Sequence, residues 1–387
     1  MPATTVKLPS ELLQTLNYIE QNNYSGYDPY DILNSKLPIL KLGKWPAAIA
    51  TQIHKRLPFK YQSLIGITKG RNAKAMALIL SSYCNLYKHT GNQIYLTKAY
   101  ELYHWLVANS NTEFKGLCWG YNFAWANPQK VVPANYPSVV VTGAVGKAFV
   151  DLHQLTFDAT VLQSLHSIAN YICSLPITTT SQGKCISYTH LEKVCVYNAS
   201  LLGAEILAYL GQTNMQYAQL AKECVQFVLH YQQANGSWMY SINIATGKER
   251  MQIDFHQGFV LESLYNIQQH LALTDVGLKT AIGKGMEYYT TQQFDTDGAS
   301  HYRMPQHYPV DIHNQAQGII THSLLAHLHP SYASKAKQIL SYTLLHMYNN
   351  EGYFYYRKHR WFTNKNNYMR WNNAWMLRAQ VMYVCGK

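Results

Sequence analysis

This 387-residue chain has little charge, because Asp, Glu, Lys and Arg together supply only 13% of its residues, about half the usual share. Apolar residues make up 48%, and Tyr alone occurs 32 times. That apolar content supports a large core and argues against disorder. Most polar contacts must therefore come from Tyr, Asn, Gln, His and Ser, which suit the hydroxyls and flat faces of sugars.

Several motifs are missing as well. The seven cysteines are odd in number and include no CxxC pair, which favours buried thiols in a reducing compartment over disulfides or zinc. The sequence contains no HExxH, no GxSxG and no glycine-rich phosphate loop. It also lacks the DDxxD and DxDD clusters that terpene cyclisation would need. We therefore predict neither a metal nor a cofactor.

Long apolar runs are absent too. No stretch reaches 18 uninterrupted apolar residues, and the N-terminal MPATTVKLPSELLQTLNYIE has no signal-peptide core. We expect a cytoplasmic protein that does not insert into membranes. The net charge of +12 is spread over scattered Lys and Arg, without an arginine-rich tract or zinc-finger spacing, so we expect no nucleic-acid partner. An anionic glycan or simple solubility accounts for this charge equally well, and the oligomeric state stays open.

What the chain does contain is a helical repeat. Apolar runs begin near residues 73, 138, 195, 256, 313 and 368, at spacings of 65, 57, 61, 57 and 55 residues. Each of the first five apolar runs is followed in the sequence by an amphipathic run. The N-terminal PSELLQTLNYIEQ supplies a sixth amphipathic partner. Helices that are apolar all round are buried, whereas those with one polar face lie outside. The pattern predicts an all-α (α/α)6 toroid of six inner and six outer helices, a single domain over 1–387 that 1–45 closes with a helix and a loop.

Long aromatic connections lead into the inner helices, at 110–137, 176–194, 234–255, 294–312 and 349–367. They include hairpin-like pieces such as GSWMYSIN and EGYFYYRK. Each connection enters an inner helix at its N-terminus, so all of them should meet at one end of the ring. Loops on a rigid scaffold usually carry function, and we predict an axial cleft at that end.

Two Asp-x-His pairs provide the catalytic candidates, Asp254 with His256 and Asp311 with His313. Each pair lies at the start of an inner helix, where Asp is a preferred N-cap. Capping does not require a histidine two residues later, so we predict that Asp orients the imidazole or shares a substrate hydroxyl in the cleft. Arg370, on the last inner helix, needs an acid such as Asp311 or an anionic substrate group as its partner.

Aromatic and amide side chains at the same end are the substrate-binding candidates. The alternative role of the aromatic residues in the loops is a buried plug that contacts no substrate. The alternative role of Trp371, on the last inner helix, is core packing. The buried acid Glu262 is better explained as a scaffold anchor. The candidates are Trp119, Tyr121, Asn122, Trp125, Tyr188, Asn198, Trp238, Tyr240, Tyr356 and Trp371.

Five motifs, CWGYNFAW, ISYTHLEKVCVYNASLLGA, NGSWMYS…IDFHQGFVLESL, YPVDIHNQAQGI and YMRWNNAWMLRA, together resemble the VpsJ-like polysaccharide-biosynthesis proteins. The resemblance runs from about residue 26 to 383. It implies a toroid of the terpenoid-cyclase and six-hairpin-glycosidase fold group, a role in polysaccharide biosynthesis, and Gln315 as a further substrate-binding residue. In the family pattern, one residue stands between the Asp and the Phe-His pair. In IDFH of this chain, the Asp is followed directly by Phe and His.

The residues leave the reaction open. In a hydrolase, Asp254 and Asp311 would act as acid and base across the gap of about 6.5–9.5 Å that inversion needs. In an epimerase or lyase, a His or Tyr would remove the proton next to a uronate carboxylate that Arg370 neutralises. A non-catalytic glycan-binding or scaffold protein is the third hypothesis. In each case the expected partner is a polysaccharide or oligosaccharide, neutral or anionic.

Overall fold

Paired helices form most of the chain, of which the computed structural model describes residues 7–127 and 130–386. The helices are, in chain order, α1 (Ser10–Gln21), α2 (Lys44–His54), α3 (Ala73–Thr90), α4 (Gln93–Ala108), α5 (Val139–Thr156), α6 (Ala159–Ser174), α7 (Tyr197–Leu210), α8 (Met215–His230), α9 (His256–His270), α10 (Val276–Gln292), α11 (Ile312–Leu324), α12 (Pro330–Met347) and α13 (Trp375–Cys385). A π-helical turn, Met369–Ala374, leads into α13.

The helices form the predicted (α/α)6 toroid. Helices α3, α5, α7, α9, α11 and α13 form the inner ring, in which each contacts the next and α13 returns to α3. Helices α4, α6, α8, α10 and α12 pack outside the first five inner helices, and α1 packs on α13. Helix α1 thus lies where PSELLQTLNYIEQ predicted a sixth outer helix; residues 1–6 of the predicted closing segment 1–45 lie outside the described residues. Helix α2 lies beside the ring, against the first short strand.

Burial follows the polarity of the helices. Inner helix α7 buries every residue except Tyr209, which is partly exposed. Outer helix α12 buries only one stripe, from Ala336 to Met347. Asn72 and Ser138 cap the first two inner helices through their side-chain oxygens, and Asp311 does the same for α11. Within the described ranges, no helix is long and apolar enough to cross a bilayer.

Short strands occur in the connections at one end of the ring. They pair as β1 with β2, β3 with β4, and β9 with β10, and as two three-stranded sheets, β5-β6-β7 and β8-β11-β12. The strands are β1 (Trp125–Ala126), β2 (Val131–Val132), β3 (Ile177–Thr180), β4 (Gly183–Ile186), β5 (Cys195–Val196), β6 (Ser241–Asn243), β7 (Lys248–Arg250), β8 (Val310–Asp311), β9 (Tyr348–Asn349), β10 (Tyr353–Phe354), β11 (Arg357–Lys358) and β12 (Thr363–Asn364).

A hydrogen bond that recurs in five repeats fixes these connections to the inner ring. In each, a side chain in the first turns of an inner helix accepts the backbone N–H of a residue in the preceding connection, over 2.8 to 3.1 Å. We call these side chains the clamp residues. They stand 58, 57, 58 and 58 positions apart, and therefore define the register of the repeat better than the apolar runs do. The clamp residues are Thr142, Ser200, Gln257, Gln315 and Asn373.

A glycine shortly before each clamped N–H lets the connection approach an outer helix. At Gly298, for example, φ is +96° and an added Cβ would lie 2.4 Å from the Gln338 carbonyl oxygen of α12. Only glycine adopts this backbone conformation without strain and leaves room for the carbonyl. The five equivalent glycines are Gly116, Gly183, Gly236, Gly298 and Gly352.

Candidate active site

The connections meet over the N-terminal ends of the inner helices and enclose a cleft of about 440 Å³, a size typical of small-ligand sites. Eleven of the sixteen residues predicted for the site line this cleft. They include all five catalytic candidates. The eleven are Tyr121, Trp125, Tyr188, Asn198, Tyr240, Asp254, His256, Asp311, His313, Arg370 and Trp371.

Two predicted substrate-binding tryptophans belong instead to the core. Trp119 and Trp238 are fully buried. Their indole N–H groups donate to the carbonyl oxygens of Leu106 and Val228, at 2.8 and 2.9 Å. Both carbonyls lie on outer helices, so each ring fastens its connection to the outer ring and does not face the cleft.

Three more predicted contacts are structural. Gln315 is a clamp residue with no exposed surface. Asn122 accepts a hydrogen bond from the Asn72 side chain at 2.7 Å and borders a different surface pocket. Tyr356 is buried behind the cleft, where its ring packs edge-on against Tyr368. These side chains hold the connections in place, and none lines the cleft.

The clamp register also shows that the two Asp-x-His pairs are not equivalent. His313 lies two positions before its clamp residue, which matches Phe255, whereas His256 lies one position before its own and matches Asn314. Asp254 lies three positions before its clamp residue and Asp311 lies four before its own, so the two aspartates do not match either. The two pairs therefore do different work at neighbouring helix entries. The residues two positions before the five clamp residues all line the cleft: Val140, Asn198, Phe255, His313 and Trp371.

Asp254 orients His256. Its Oδ1 accepts both the imidazole Nδ1–H and the backbone N–H of His256, and its Oδ2 accepts Gln252 Nε2 at 3.0 Å and faces Arg303 Nε at 3.4 Å. Burial alone would raise the pKa of Asp254, but the adjacent His256 and Arg303 hold it below its ordinary value. Asp254 is therefore ionised. The hydrogen bond of His256 to Asp254 uses Nδ1, and the ring is partly exposed in the cleft, which leaves Nε2 for a ligand.

His313 is a buried imidazole surrounded by aromatic rings. Its ring stacks on Phe255, with centroids 4.2 Å apart, and lies 4.6 Å from both Trp371 and Trp375. Both ring nitrogens lack hydrogen-bond partners within the described part of the chain. Burial, followed by the nearby cations, lowers the pKa of His313 well below its ordinary value. His313 is therefore neutral, and the Phe255 ring that stacks on it also lies 4.3 Å from the ring of His256, centroid to centroid.

The second aspartate, Asp311, is occupied by protein donors. Its Oδ1 accepts the backbone N–H of His313 at 3.0 Å and Trp371 Nε1 at 2.9 Å, while Oδ2 accepts Arg357 Nε at 2.7 Å. Asp311 is thus an N-cap that also fixes the side chains of Trp371 and Arg357, which line the cleft. Arg370 has an acidic partner, one of the two kinds predicted, but that acid is Asp28 and not Asp311: the two form a two-bond ion pair at 2.6 and 2.7 Å.

Positive charge dominates the cleft. Six cationic side chains and three carboxylates are among the described residues that line it. Two of the cations, Lys55 and Lys74, are buried, and burial together with neighbouring arginines lowers their pKa values to about 7. Lys74 lies 5.5 Å from the centre of the Phe259 ring. Sequence reasoning missed this lysine, although a lone charge in the apolar run AKAMALIL was a visible signal.

A group with metal-ligand chemistry lies in the connection before α11. Ligand atoms of Asp295, His301 and His307 all lie within 4.8 Å of one another, and His301 Nε2 is 2.9 Å from Asp295 Oδ1. Nitrogen and carboxylate donors of this kind suit Zn²⁺, and the sequence-based expectation of no metal overlooked them. None of the three side chains lines the cleft.

No protein-family model matches the chain, and no curated protein matches it in sequence. Solved structures match the fold. The cellobiose 2-epimerase of Bacillus thermoamylovorans superposes with a TM-score of 0.65 at 12% identity, over 81% of this chain and 87% of the other. A D-mannose isomerase gives 0.66 at 12% identity over 99% of both chains.

A third match is the GH76 α-mannanase of Bacteroides thetaiotaomicron, with a TM-score of 0.64 at 11% identity over 97% of this chain and 95% of the other. The shared feature is the (α/α)6 toroid. At these identities the matches establish the fold group and leave the reaction to the residues of the cleft. The resemblance to the VpsJ-like proteins stays a prediction from the sequence motifs.

Proposed function

We propose that this protein is a carbohydrate epimerase or isomerase that moves a proton on an anionic saccharide bound in the axial cleft. One observation carries the proposal. Two imidazoles, His256 and His313, line the same cleft. Asp254 holds His256 through Nδ1 only, and both buried nitrogens of His313 lack a partner among the described residues, whereas the carboxylates there are all held by protein donors. Histidine is the side chain best suited to exchanging protons near neutral pH.

The carboxylates argue against hydrolysis. A glycosidase needs a carboxylic acid that keeps its proton, usually through a raised pKa. Here the pKa of Asp254 is lowered, and Asp311 accepts three hydrogen bonds. The remaining cleft carboxylate, Glu192, forms an ion pair with Lys130. None of the three offers the proton that a leaving sugar oxygen would require.

The two imidazoles suit the acid and base of a proton transfer. Neutral His313 accepts the proton from the carbon next to a carboxylate or carbonyl group, which leaves an enolate. His256, whose ring Asp254 orients through Nδ1, returns a proton from Nε2. Return to the opposite face inverts the carbon, and the two residues exchange roles in the reverse direction. Cations such as Lys74 stabilise the negative charge of the enolate.

The excess of cationic side chains supports an anionic substrate, such as a uronate-containing oligosaccharide. The fold matches to cellobiose 2-epimerase and D-mannose isomerase are compatible with this chemistry, as the match to the α-mannanase is with hydrolysis. A place in polysaccharide biosynthesis, in the cytoplasm, is also part of the proposal. It depends on the VpsJ-like motifs and on the seven cysteines, all of which are free thiols.

The test is incubation with neutral and uronate oligosaccharides in D2O, followed by NMR and mass spectrometry. We expect deuterium at one carbon of a uronate substrate without chain cleavage. A product gaining water would instead identify a hydrolase, and an unsaturated product a lyase. Binding without turnover on every glycan would support the non-catalytic hypothesis and contradict ours.

Matched variants make the assignment specific. His256→Gln and His313→Gln should each abolish epimerisation. The controls His270→Gln and His322→Gln replace histidines farther along the same two helices, α9 and α11, where neither lines the cleft. If the controls lose as much activity as the cleft variants at equal thermal stability, the two imidazoles are not the acid and base.

A further inference from the structure

Helix α2 carries an apolar stripe on its outer face. Trp45, Ile49 and Ile53 are each more than half exposed, at 58, 56 and 55%. A spacing of four residues places them on one side of the helix. The opposite side packs inward, with Ala47 and Thr51 buried. An amphipathic helix normally buries its apolar face, but no described residue covers this stripe.

More apolar side chains are exposed in the segments before and after α2. They are 45 to 86% exposed, and large exposed apolar surface marks interaction sites. We call the whole set the α2 surface. It comprises Leu37, Leu40, Leu42, Trp45, Ile49, Ile53, Phe59 and Leu64.

The charge around the α2 surface has one sign. No acidic residue occurs in the sequence between Asp31 and Glu101, whereas that interval contains eleven Lys and Arg residues. Six of them, on or beside the α2 surface, are exposed. These six are Lys36, Lys41, Lys44, Arg56, Lys60 and Lys69.

From these observations we propose that the α2 surface binds an anionic lipid membrane. Apolar residues on one face of a helix, with lysine and arginine around them, are the features of an interfacial helix that lies flat in the headgroup region. Anionic lipids attract such clusters. A second copy of this chain fits less well, because two surfaces rich in the same positive charge repel each other.

Docking in this way would bring the cleft next to the membrane. Thr51, Gln52 and Lys55 of the α2 region line the cleft, while Trp45, Ile49 and Ile53 face outward. A glycan attached to a membrane lipid would then reach the cleft without leaving the surface. The membrane proposal itself rests only on the α2 surface, and a binding assay tests it whether or not the proposed reaction is correct.

The experiment is flotation of the full chain with vesicles of phosphatidylcholine alone or mixed with phosphatidylglycerol. We expect binding to the anionic vesicles only, weakened by salt. The variant Trp45→Gln/Ile49→Gln/Ile53→Gln keeps good helix formers and should lower the partition coefficient at least tenfold. Lys41→Gln alone should lower it about fivefold.

The matched control is Met215→Gln/Val276→Gln/Leu345→Gln, which removes three more exposed apolar side chains from outer helices on other parts of the surface. It should bind vesicles like the unmodified chain. No binding to anionic vesicles, or equal binding by both triple variants at equal thermal stability, would overturn the proposal. Sedimentation velocity offers a second way to overturn it. If the unmodified chain forms a dimer that only the Trp45→Gln/Ile49→Gln/Ile53→Gln variant disrupts, a second copy of the chain covers the stripe.

Discussion

Replacing Glu262 tests how the inner ring is held together beneath the cleft. Its Oε1 accepts Lys147 Nζ at 2.9 Å and Arg378 Nη2 at 2.6 Å, and its Oε2 accepts Gln317 Nε2 at 3.1 Å. These contacts join inner helices α5, α9, α11 and α13. The variant Glu262→Gln removes the negative charge with little change of shape and leaves the two cations short of a partner.

The pKa of Glu262 gives the magnitude. Burial would raise it, but Lys147 and Arg378 outweigh burial and lower it from 4.5 to about 2. A difference of about 2.5 pH units corresponds to about 3 kcal/mol of folding free energy. Because the folded-state pKa is depressed, this stabilisation is complete above pH 4.5 and is lost as the pH falls towards 2.

Urea denaturation at pH 7 and pH 3 measures the effect. We expect Glu262→Gln to lower the free energy of unfolding by about 3 kcal/mol at pH 7, and this deficit to narrow by about 2 kcal/mol at pH 3. The control Glu287→Gln replaces an exposed carboxylate on α10 and should change stability by less than about 0.5 kcal/mol. An equal deficit for Glu262→Gln at both pH values would refute the reasoning.

Three further predictions concern the cleft and its scaffold. Asp254→Asn should lower kcat about 10²–10⁴-fold with little change in KM, and an unchanged kcat would remove Asp254 from the mechanism. As pH rises through 7, Lys74 loses its charge, so KM for an anionic substrate should rise up to about tenfold between pH 6 and 8; Lys74→Arg should flatten this profile. Gly298→Ala should cost about 2 kcal/mol or more in thermal unfolding, because its Cβ meets an outer-helix carbonyl. The control Gly283→Ala, where a Cβ meets no atom within 4 Å, should be neutral or stabilising.

The sequence predicted the ring because polarity alone separates its two layers. The apolar run predicted to begin at residue 73 is α3, and those at 256 and 313 begin within one residue of α9 and α11. A buried helix such as α7 is apolar nearly all round, so its sequence reveals it. The outward-facing stripe of α2 escaped notice, because exposure depends on what the rest of the chain leaves uncovered.

The site was predictable in position and less so in detail. His256 and His313 look alike in sequence, as part of DFH and DIH. However, the clamp residue Gln257 directly follows His256, whereas one residue separates His313 from the clamp residue Gln315. That difference shifts the second imidazole into the aromatic floor of the cleft. Likewise, Trp119 and Trp125 stand in one aromatic loop, but only the indole N–H of Trp119 reaches an outer-helix carbonyl. Composition does not encode such contacts.

The most direct test of the proposed acid–base pair is solvent-deuterium exchange measured separately on the two epimers of a uronate substrate. If His256 and His313 serve opposite faces of the carbon, each single variant to Gln loses epimerisation. Each keeps exchange on one epimer only, and the two variants keep opposite ones. Exchange into both epimers at the unmodified rate in either variant would contradict the account.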